Sequence, residues 1–358
     1  MERFTVKPVI SFGSGALAAL EELSGRRVLV VTDEFLSRRS GLMDGVKGHL
    51  KGCEIRVFDA VKPDPSVDLV ARGVRELEEF RPDALVAFGG GSPMDCAKAM
   101  RHFSSVPALP FWCVPTTAGT GSEVTSFAVL TDSAKGVKYP LVDDALLPDY
   151  AVLDPALLAS VPPAVTADTG MDVLTHAAEA YVAKGATPFT DALAEKAFST
   201  AFRALPAACR GDLAAREEML LSSCMAGMAF NAAGLGLSHG LAHALGGRFH
   251  VSHGRLNAVV LPAVMAFNAS SGPTAGKYAR LAWLCGLAKS PRALISALHR
   301  LRTGLGLPER LTACGVEEGA LREGLEEVAA AALSDRCTPS NPRSAGAEEL
   351  KAMLKELM

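Results

Sequence analysis

The 358 residues are 49% hydrophobic and 21% charged, a composition that folds into globular domains and argues against a disordered chain; the length suits two domains. With 36 basic against 39 acidic residues the formal charge is −3 and no basic stripe stands out, which argues against a dedicated nucleic-acid binder, since such a surface must offset phosphate charge. No apolar run reaches the roughly 20 residues that span a bilayer, and Met1 to Thr5 lack a basic region followed by an apolar core, so a cytoplasmic protein with no membrane partner is expected.

In chain order, the first 155 residues alternate branched apolar runs with helical patterns. Arg26 to Thr32 reads as a buried strand ending at Asp33-Glu34, and Cys53 to Val61 as a second. Ser66 is an N-cap for a helix whose apolar face is Val67, Val70, Ala71, Val74 and Leu77. Ala84 to Phe88 is a third strand, stopped by glycines, and the rhythm is that of a parallel α/β domain. After Asp154-Pro155 the chain passes through Ser160-Val161-Pro162-Pro163 into Ala- and Leu-rich helical segments, such as 191–208 and 215–233. The boundary is drawn at 157/158, giving an α/β domain at 1–157 and an all-helical domain at 158–358.

Two glycine segments compete as a phosphate loop. Gly13 to Ala18 fits GxGxxA with Asp33 about 20 residues on, but its strand would be the short Val9 to Phe12, and a turn leading into a helix over Ala16 to Leu23 is the simpler reading. Gly89-Gly90-Gly91-Ser92 lies directly between a convincing strand and a helical pattern, where backbone N–H groups and a hydroxyl can face an anion. Thr116, Thr117 and Thr120 with Gly119 and Gly121 follow the run Phe111 to Val114, a hydroxyl-rich loop suited to ribose or phosphate or else an ordinary polar loop.

Metal-binding potential concentrates in the helical half. The eight cysteines, at 53, 96, 113, 209, 224, 285, 314 and 337, form no CxxC pair and are read as reduced thiols, so an ion must be held by other residues. Asp172 and His176 are four apart, as are His239 and His243, with His250 and His253 close behind. On a helix such pairs share a face, and their Gly, Ala and Leu neighbours offer few side-chain partners for several buried imidazoles. A divalent ion explains the set better than separate core histidines, and imidazole with carboxylate suits Fe2+ or Zn2+ alike.

Together these segments resemble the iron-containing (group III) alcohol dehydrogenase family. The likeness is carried by GGGSPMDCAK at 89–98, PTTAGTGSEVT at 115–125, TADTGMDVLTHAAEAY at 166–181, GLSHGLAHALGGRFHVSHG at 236–254 and DRCTPSNPR at 335–343, in the family's order and over nearly the whole chain. The stretches GVKYPLVDDALLPDYAVLDP and GMDVLTHAAEAYV, with FTDALAEKAF at 189–198, carry a narrower resemblance to the 1-propanol dehydrogenases of propanediol-utilising bacteria.

The resemblance implies a Rossmann-like N-terminal domain, a helical C-terminal domain and an active site in the cleft between them. It implies Asp172, His176, His239 and His253 as metal ligands, with Fe2+ expected and Zn2+ used by relatives of similar ligand set. It places His243 beside that set, near the nicotinamide and substrate, and an imidazole there, one helical turn from a ligand, is the candidate proton relay. Gly89, Gly90, Gly91, Ser92, Thr116, Thr117, Thr120 and Lys138 fall at cofactor contacts, and Asp33 at the adenosine ribose, where a carboxylate would repel a 2′-phosphate and so favour NAD(H) over NADP(H). Phe127, Phe230 and Cys337 fall on the substrate pocket.

The implied reaction interconverts a small primary alcohol and its aldehyde, 1-propanol and propanal or similar. A homodimer or larger homo-oligomer with an aldehyde dehydrogenase as metabolic neighbour is implied too, in the cytoplasm or a bacterial microcompartment. Competing readings are a zinc-dependent polyol dehydrogenase of the glycerol type, a dehydroquinate-synthase-like enzyme and a non-catalytic metal-binding protein. A sugar-phosphate lyase needs clustered Lys and Arg in its pocket, whereas Arg248 and Arg255 are the main basic residues near the histidines.

Overall fold

The branched apolar runs become strands in the computed structural model, which describes residues 4–107, 109–132 and 137–358. The chain divides into two compact units, Met1–Val161 and Pro162–Met358. The sequence boundary at 157/158 falls at the end of the 3-10 turn Pro155–Leu158 that leads into the second unit.

The strands are β1 (Val9–Phe12), β2 (Arg27–Asp33), β3 (Glu54–Val61), β4 (Ala84–Gly89), β5 (Phe111–Pro115), β6 (Phe127–Asp132), β7 (Val137–Val142) and β8 (Tyr150–Leu153). Six of them form a parallel sheet in the order β1-β8-β5-β4-β2-β3. Val28 to Val31 on β2 and Ala84 to Phe88 on β4 are fully buried, which is why these strands read as unbroken apolar runs and not as alternating ones. The helices α1 (Glu34–Arg38), α2 (Leu42–His49), α3 (Val67–Phe80) and α4 (Gly91–Phe103) connect them. Ser66 caps α3 by accepting from the Leu69 N–H, as its position predicts. β6 and β7 make a separate antiparallel pair that the sequence reading did not anticipate.

The strand order has a functional consequence. From β2 the chain moves outward to β3, then crosses back to place β4 on the other side of β2. The carboxyl ends of β2 and β4 therefore flank a topological switch point, where parallel α/β sheets open a crevice for ligands. Asp33 ends β2 and Gly89 ends β4. Gly13 to Ala18 instead follows β1 at the sheet edge and turns into the 3-10 helix Ala16–Leu23, whose Leu17 N–H is already taken by the Asp154 carboxylate.

The second unit is helical throughout its described residues. Its helices are α5 (Pro163–Val182), α6 (Pro188–Cys209), α7 (Leu213–Ala233), α8 (Leu237–Phe249), α9 (His253–Asn268), α10 (Gly272–Leu284), α11 (Pro291–Gly304), α12 (Glu318–Glu323), α13 (Leu325–Ser334) and α14 (Ala347–Glu356). Prolines at helix starts and Thr187, Asp212 and Ser290 as N-caps set the boundaries. From Thr166 to Val182 α5 is buried on nearly every side, so it is the central helix. Leu241 and Leu245 of α8, Leu256 and Val260 of α9, Val328 and Ala332 of α13 and Leu350 of α14 share one core. Among the described residues no single helix is long and apolar enough to cross a membrane.

Candidate active site

At the sheet's carboxyl edge, two loops are built to fit one another. Gly89 has φ +149, a conformation L side chains rarely adopt, and a Cβ there would also lie 2.6 Å from Pro93 Cγ. A Cβ on Gly90 would meet Thr117 Oγ1 at 3.1 Å and one on Gly91 would meet Thr120 Cγ2 at 2.9 Å. The glycines thus let the threonine loop lie against the start of α4, and Thr116 N–H donates to Gly89 C=O at 3.0 Å. Gly90 is the N-cap of α4 and has no side chain to satisfy the first-turn N–H groups, which leaves them for an anion.

Both loops are tied down from below. Fully buried Lys98, on α4, donates to Ser122 Oγ at 2.8 Å, Thr125 Oγ1 at 3.1 Å and the Phe127 carbonyl at 2.8 Å, using all three ammonium hydrogens. Ser122 Oγ in turn donates to Asp95 at 2.8 Å. On the neighbouring strand, Asp33 caps α1 by accepting from Leu36 N–H at 2.9 Å, which orients its carboxylate at the switch point. Lys138 lies on β7, and its side chain is outside the described residues.

In the helical unit, Asp172 and His176 of α5 and His239 of α8 are buried, and each offers a ligand-type atom within 4.8 Å of the others. His253, at the start of α9, brings Nε2 to 3.6 Å from Asp172 Oδ1. The His176 and His239 rings stack at 4.6 Å, and Phe230 covers His176 from the other side at 4.5 Å. Burial opposes ionisation of Asp172, yet His176, His253 and His239 together hold its carboxyl below the ordinary range. Burial first, then the neighbouring imidazoles, pushes His239 well below its ordinary value, so the ring is neutral and its lone pair available.

These residues meet because three helix contacts are specific. A Cβ on Gly254 would strike the Asp168 carbonyl of α5, so glycine lets α9 approach closely enough to place His253. Asp168 also holds Arg255 through two hydrogen bonds and accepts from Ser252 at 3.2 Å. The buried Glu179, one face-turn beyond His176 on α5, accepts from Gly236 N–H at 2.9 Å, Ser238 N–H at 2.6 Å and His239 Nδ1 at 2.6 Å. It therefore caps α8 and turns the His239 Nε2 lone pair toward Asp172, the arrangement by which a carboxylate orients a metal-binding imidazole. Burial pushes Glu179 up to about 7, against the pull of the Ser238 and Gly236 N–H groups. Asn341, from the last motif, accepts from Leu237 N–H and pairs with Asn268.

The donor set fits a divalent cation. Asn257 Nδ2 donates to Asp172 Oδ1 at 2.8 Å while lying 3.1 Å from His253 Nε2 and 3.4 Å from His239 Nε2, so three acceptors face the two hydrogens of one amide. His176 Nδ1 is buried with no hydrogen-bond partner. A buried surplus of lone pairs over donors, made of imidazole and carboxylate, is satisfied by a metal ion.

His243, one turn beyond His239 on α8, stands beside this cluster. Its ring stacks on His253 at 5.1 Å, and its Nδ1 lies 2.9 Å from Asp335 Oδ2. Burial raises Asp335, but its bonds to His243 and to the Cys337 N–H hold it at about 2. Burial, then Asp335, pushes the Cys337 thiol well above its ordinary value. All eight cysteines are free thiols.

The fold thus gathers Asp172, His176, His239, His253, His243, Phe230 and Cys337 in the helical unit. Asp33, Gly89 to Ser92, Thr116, Thr117 and Thr120 gather at the carboxyl edge of the sheet. Phe127 opens β6 in the first unit, half-buried, with its carbonyl held by Lys98. Sequence reasoning gave no role to Glu179, Asn257, Lys98 or Asp335. Two of these carried a signal: Glu179 continues the Asp172-His176 face at i+7, and Asn257 lies four residues after His253.

Comparison with known proteins agrees over the full length. The family model for iron-containing alcohol dehydrogenase matches residues 8–155, and that for the C-terminal part of the Fe-containing alcohol dehydrogenase family matches 166–358. The chain is 43% identical over 371 residues to 1-propanol dehydrogenase PduQ of Salmonella typhimurium, covering 100% of both. It is 39% identical to an NADPH-dependent butanol dehydrogenase of Clostridium saccharobutylicum, over 99% of this chain and 97% of that one. An iron-containing alcohol dehydrogenase structure from Thermococcus thioreducens superposes with a TM-score of 0.92 at 35% identity, covering 99% of each chain. With both halves matched and the His/Asp cluster assembled, the chain belongs to the iron-containing alcohol dehydrogenase family and is an oxidoreductase of that family.

Proposed function

We propose that this protein is an Fe2+-dependent, NAD(H)-linked dehydrogenase that interconverts a small primary alcohol, such as 1-propanol, with its aldehyde. The observation that carries this reading is the buried convergence of Asp172, His176 and His239 within 4.8 Å, with His253 completing the set that would hold the ion. When bound, the metal supplies Lewis acidity to the substrate oxygen and the nicotinamide takes or gives the hydride.

The chain's own residues do the rest. The Gly89 to Gly91 backbone and Ser92 bind the pyrophosphate at the start of α4, while Thr116, Thr117, Thr120 and Lys138 complete the cofactor contacts. Beside the metal cluster in the helical unit, Phe230 against His176 and Cys337 near His243 supply weakly polar surface that suits a short alkyl chain. His243 takes the hydroxyl proton in alcohol oxidation and returns it in aldehyde reduction.

Because a relative is an NADPH-dependent enzyme, cofactor choice in this chain turns on Asp33. Its carboxylate accepts from ribose hydroxyls and repels a 2′-phosphate. The Asp33→Gly variant is expected to shift the kcat/KM ratio toward NADPH by about tenfold, or ~1.4 kcal/mol; an unchanged preference in steady-state assays with both cofactors would move this contact elsewhere.

The reading extends to a cytoplasmic homodimer or larger homo-oligomer exchanging aldehyde with a neighbouring aldehyde dehydrogenase, tested by sedimentation and by location in cells that build microcompartments. The central test is anaerobic purification, measurement of bound iron and zinc, and NADH oxidation with propanal before and after chelation. Activity lost on chelation and restored by Fe2+ is expected. Restoration by Zn2+ alone, with glycerol turned over in place of propanal, would replace this reading with a polyol dehydrogenase.

A further inference from the structure

Neither packing nor the metal cluster accounts for the pairing of His243 with Asp335. The two lie 92 positions apart, half-buried, on α8 and immediately after α13, with Nδ1 and Oδ2 at 2.9 Å. The other carboxylate oxygen, Oδ1, accepts from the Cys337 backbone N–H at 2.8 Å. A carboxylate only accepts, so Nδ1 of His243 carries the hydrogen and, in the neutral ring, Nε2 carries the lone pair.

We propose that Asp335 is a positioning residue for proton transfer, fixing the tautomer of His243 so that Nε2 is the atom that exchanges a proton with the substrate oxygen. This rests on the reading of His243 given above. In alcohol oxidation the substrate C–H bond breaks with its electron pair leaving as hydride to the nicotinamide. The O–H bond breaks with its proton passing to Nε2, and the carbonyl forms. The resulting imidazolium, hydrogen-bonded to Asp335 through Nδ1–H, then releases the Nε2 proton to solvent. Aldehyde reduction runs the same transfers backwards.

The Cys337 N–H makes a sharp test available. In Asp335→Asn that donor keeps the amide oxygen at the Oδ1 position, so the NH2 group must face His243 Nδ1. The hydrogen bond and the shape survive, but Nδ1 becomes the acceptor and Nε2 acquires the hydrogen, the wrong tautomer. In Asp335→Ala water replaces the carboxylate and both tautomers form. A purely structural role predicts that Ala is the worse variant, whereas tautomer control predicts that Asn is.

The experiment compares wild type, Asp335→Asn, Asp335→Ala and His243→Ala as full-length, iron-loaded enzyme for kcat, KM and metal content. Nitrogen-15 spectra of histidine-labelled, zinc-loaded protein, assigned with His243→Ala, report the tautomer. Expected are a kcat in Asn lower by about 10²–10⁴-fold, a smaller loss in Ala, KM and metal content within about twofold, and exchange of the protonated nitrogen of His243 in Asn.

Ala worse than Asn would overturn the proposal, as would a reversed tautomer with unchanged kcat. Loss of metal in Asn would also overturn it, because ligand-type atoms of His243, Asp335 and Cys337 lie within 4.8 Å of one another and would then be holding an ion. Full turnover in His243→Ala would sink the role of His243 itself, while its loss there with full turnover in Asp335→Asn would sink the present inference alone.

Discussion

Replacing His253 by alanine is expected to release the metal and abolish turnover together, whereas His243→Ala keeps the metal and slows turnover. His253 supplies Nε2 at 3.6 Å from Asp172 Oδ1, and α9 holds it there through the close approach of Gly254 to Asp168. Without it the remaining donors are two imidazoles and one carboxylate, and the open side admits water and chelators. Lewis-acid stabilisation is worth several kcal/mol, so activity should fall by about a thousandfold or more. His243 instead bonds to Asp335, and loss of a proton acceptor costs about 10²–10⁴-fold. Metal analysis beside steady-state kinetics separates the two variants. Full metal occupancy in His253→Ala would remove it from the ligand set.

The second large effect belongs to Glu179. Its two oxygens accept three N–H groups, from Gly236, Ser238 and His239. Glu179→Ala leaves all three unpaired in a buried place, at about 1–3 kcal/mol for each. A total loss of at least about 3 kcal/mol is expected, or roughly 6–12 °C in melting temperature for a unit of this size. Glu179→Gln is the more instructive variant, because an amide must turn its NH2 toward one of the donors. Facing Ser238 it uncaps α8; facing His239 it makes Nδ1 an acceptor and puts the hydrogen on Nε2, which then cannot bind metal. Either way metal affinity should drop by about 10–100-fold. Anaerobic metal titrations of both variants check this, and wild-type affinity in Glu179→Gln would mean that His239 needs no second partner.

Much of this architecture was legible in the sequence, for reasons that are local. The runs Arg26 to Thr32 and Ala84 to Phe88 lack polar alternation because both faces of β2 and β4 are covered, and a central parallel strand has no other way to look. Gly89 to Gly91 announced a loop because a Cβ at any of the three would press on Pro93, Thr117 or Thr120. The β6–β7 pair was not anticipated, since it forms outside the βαβ rhythm that organised the rest of the unit.

The histidines mark where local reasoning ends. Spacing by four fixes which side chains share a helix face, and in that respect Asp172-His176 and His239-His243 are equivalent pairs. Spacing alone does not distinguish them, and the tertiary structure supplies the physical reason for the difference, because the function of a face depends on what is packed opposite it. Glu179 from α5 meets Nδ1 of His239 and turns Nε2 toward Asp172, while Asp335, arriving 92 residues later, meets Nδ1 of His243. The sequence by itself determined the elements of the βαβ rhythm, the glycine loops and the candidate donors. Packing of α5, α8, α9 and the segment after α13 decided which imidazole faces Asp172 and His176 and which faces Asp335, since long-range contacts carry no periodic trace in the chain.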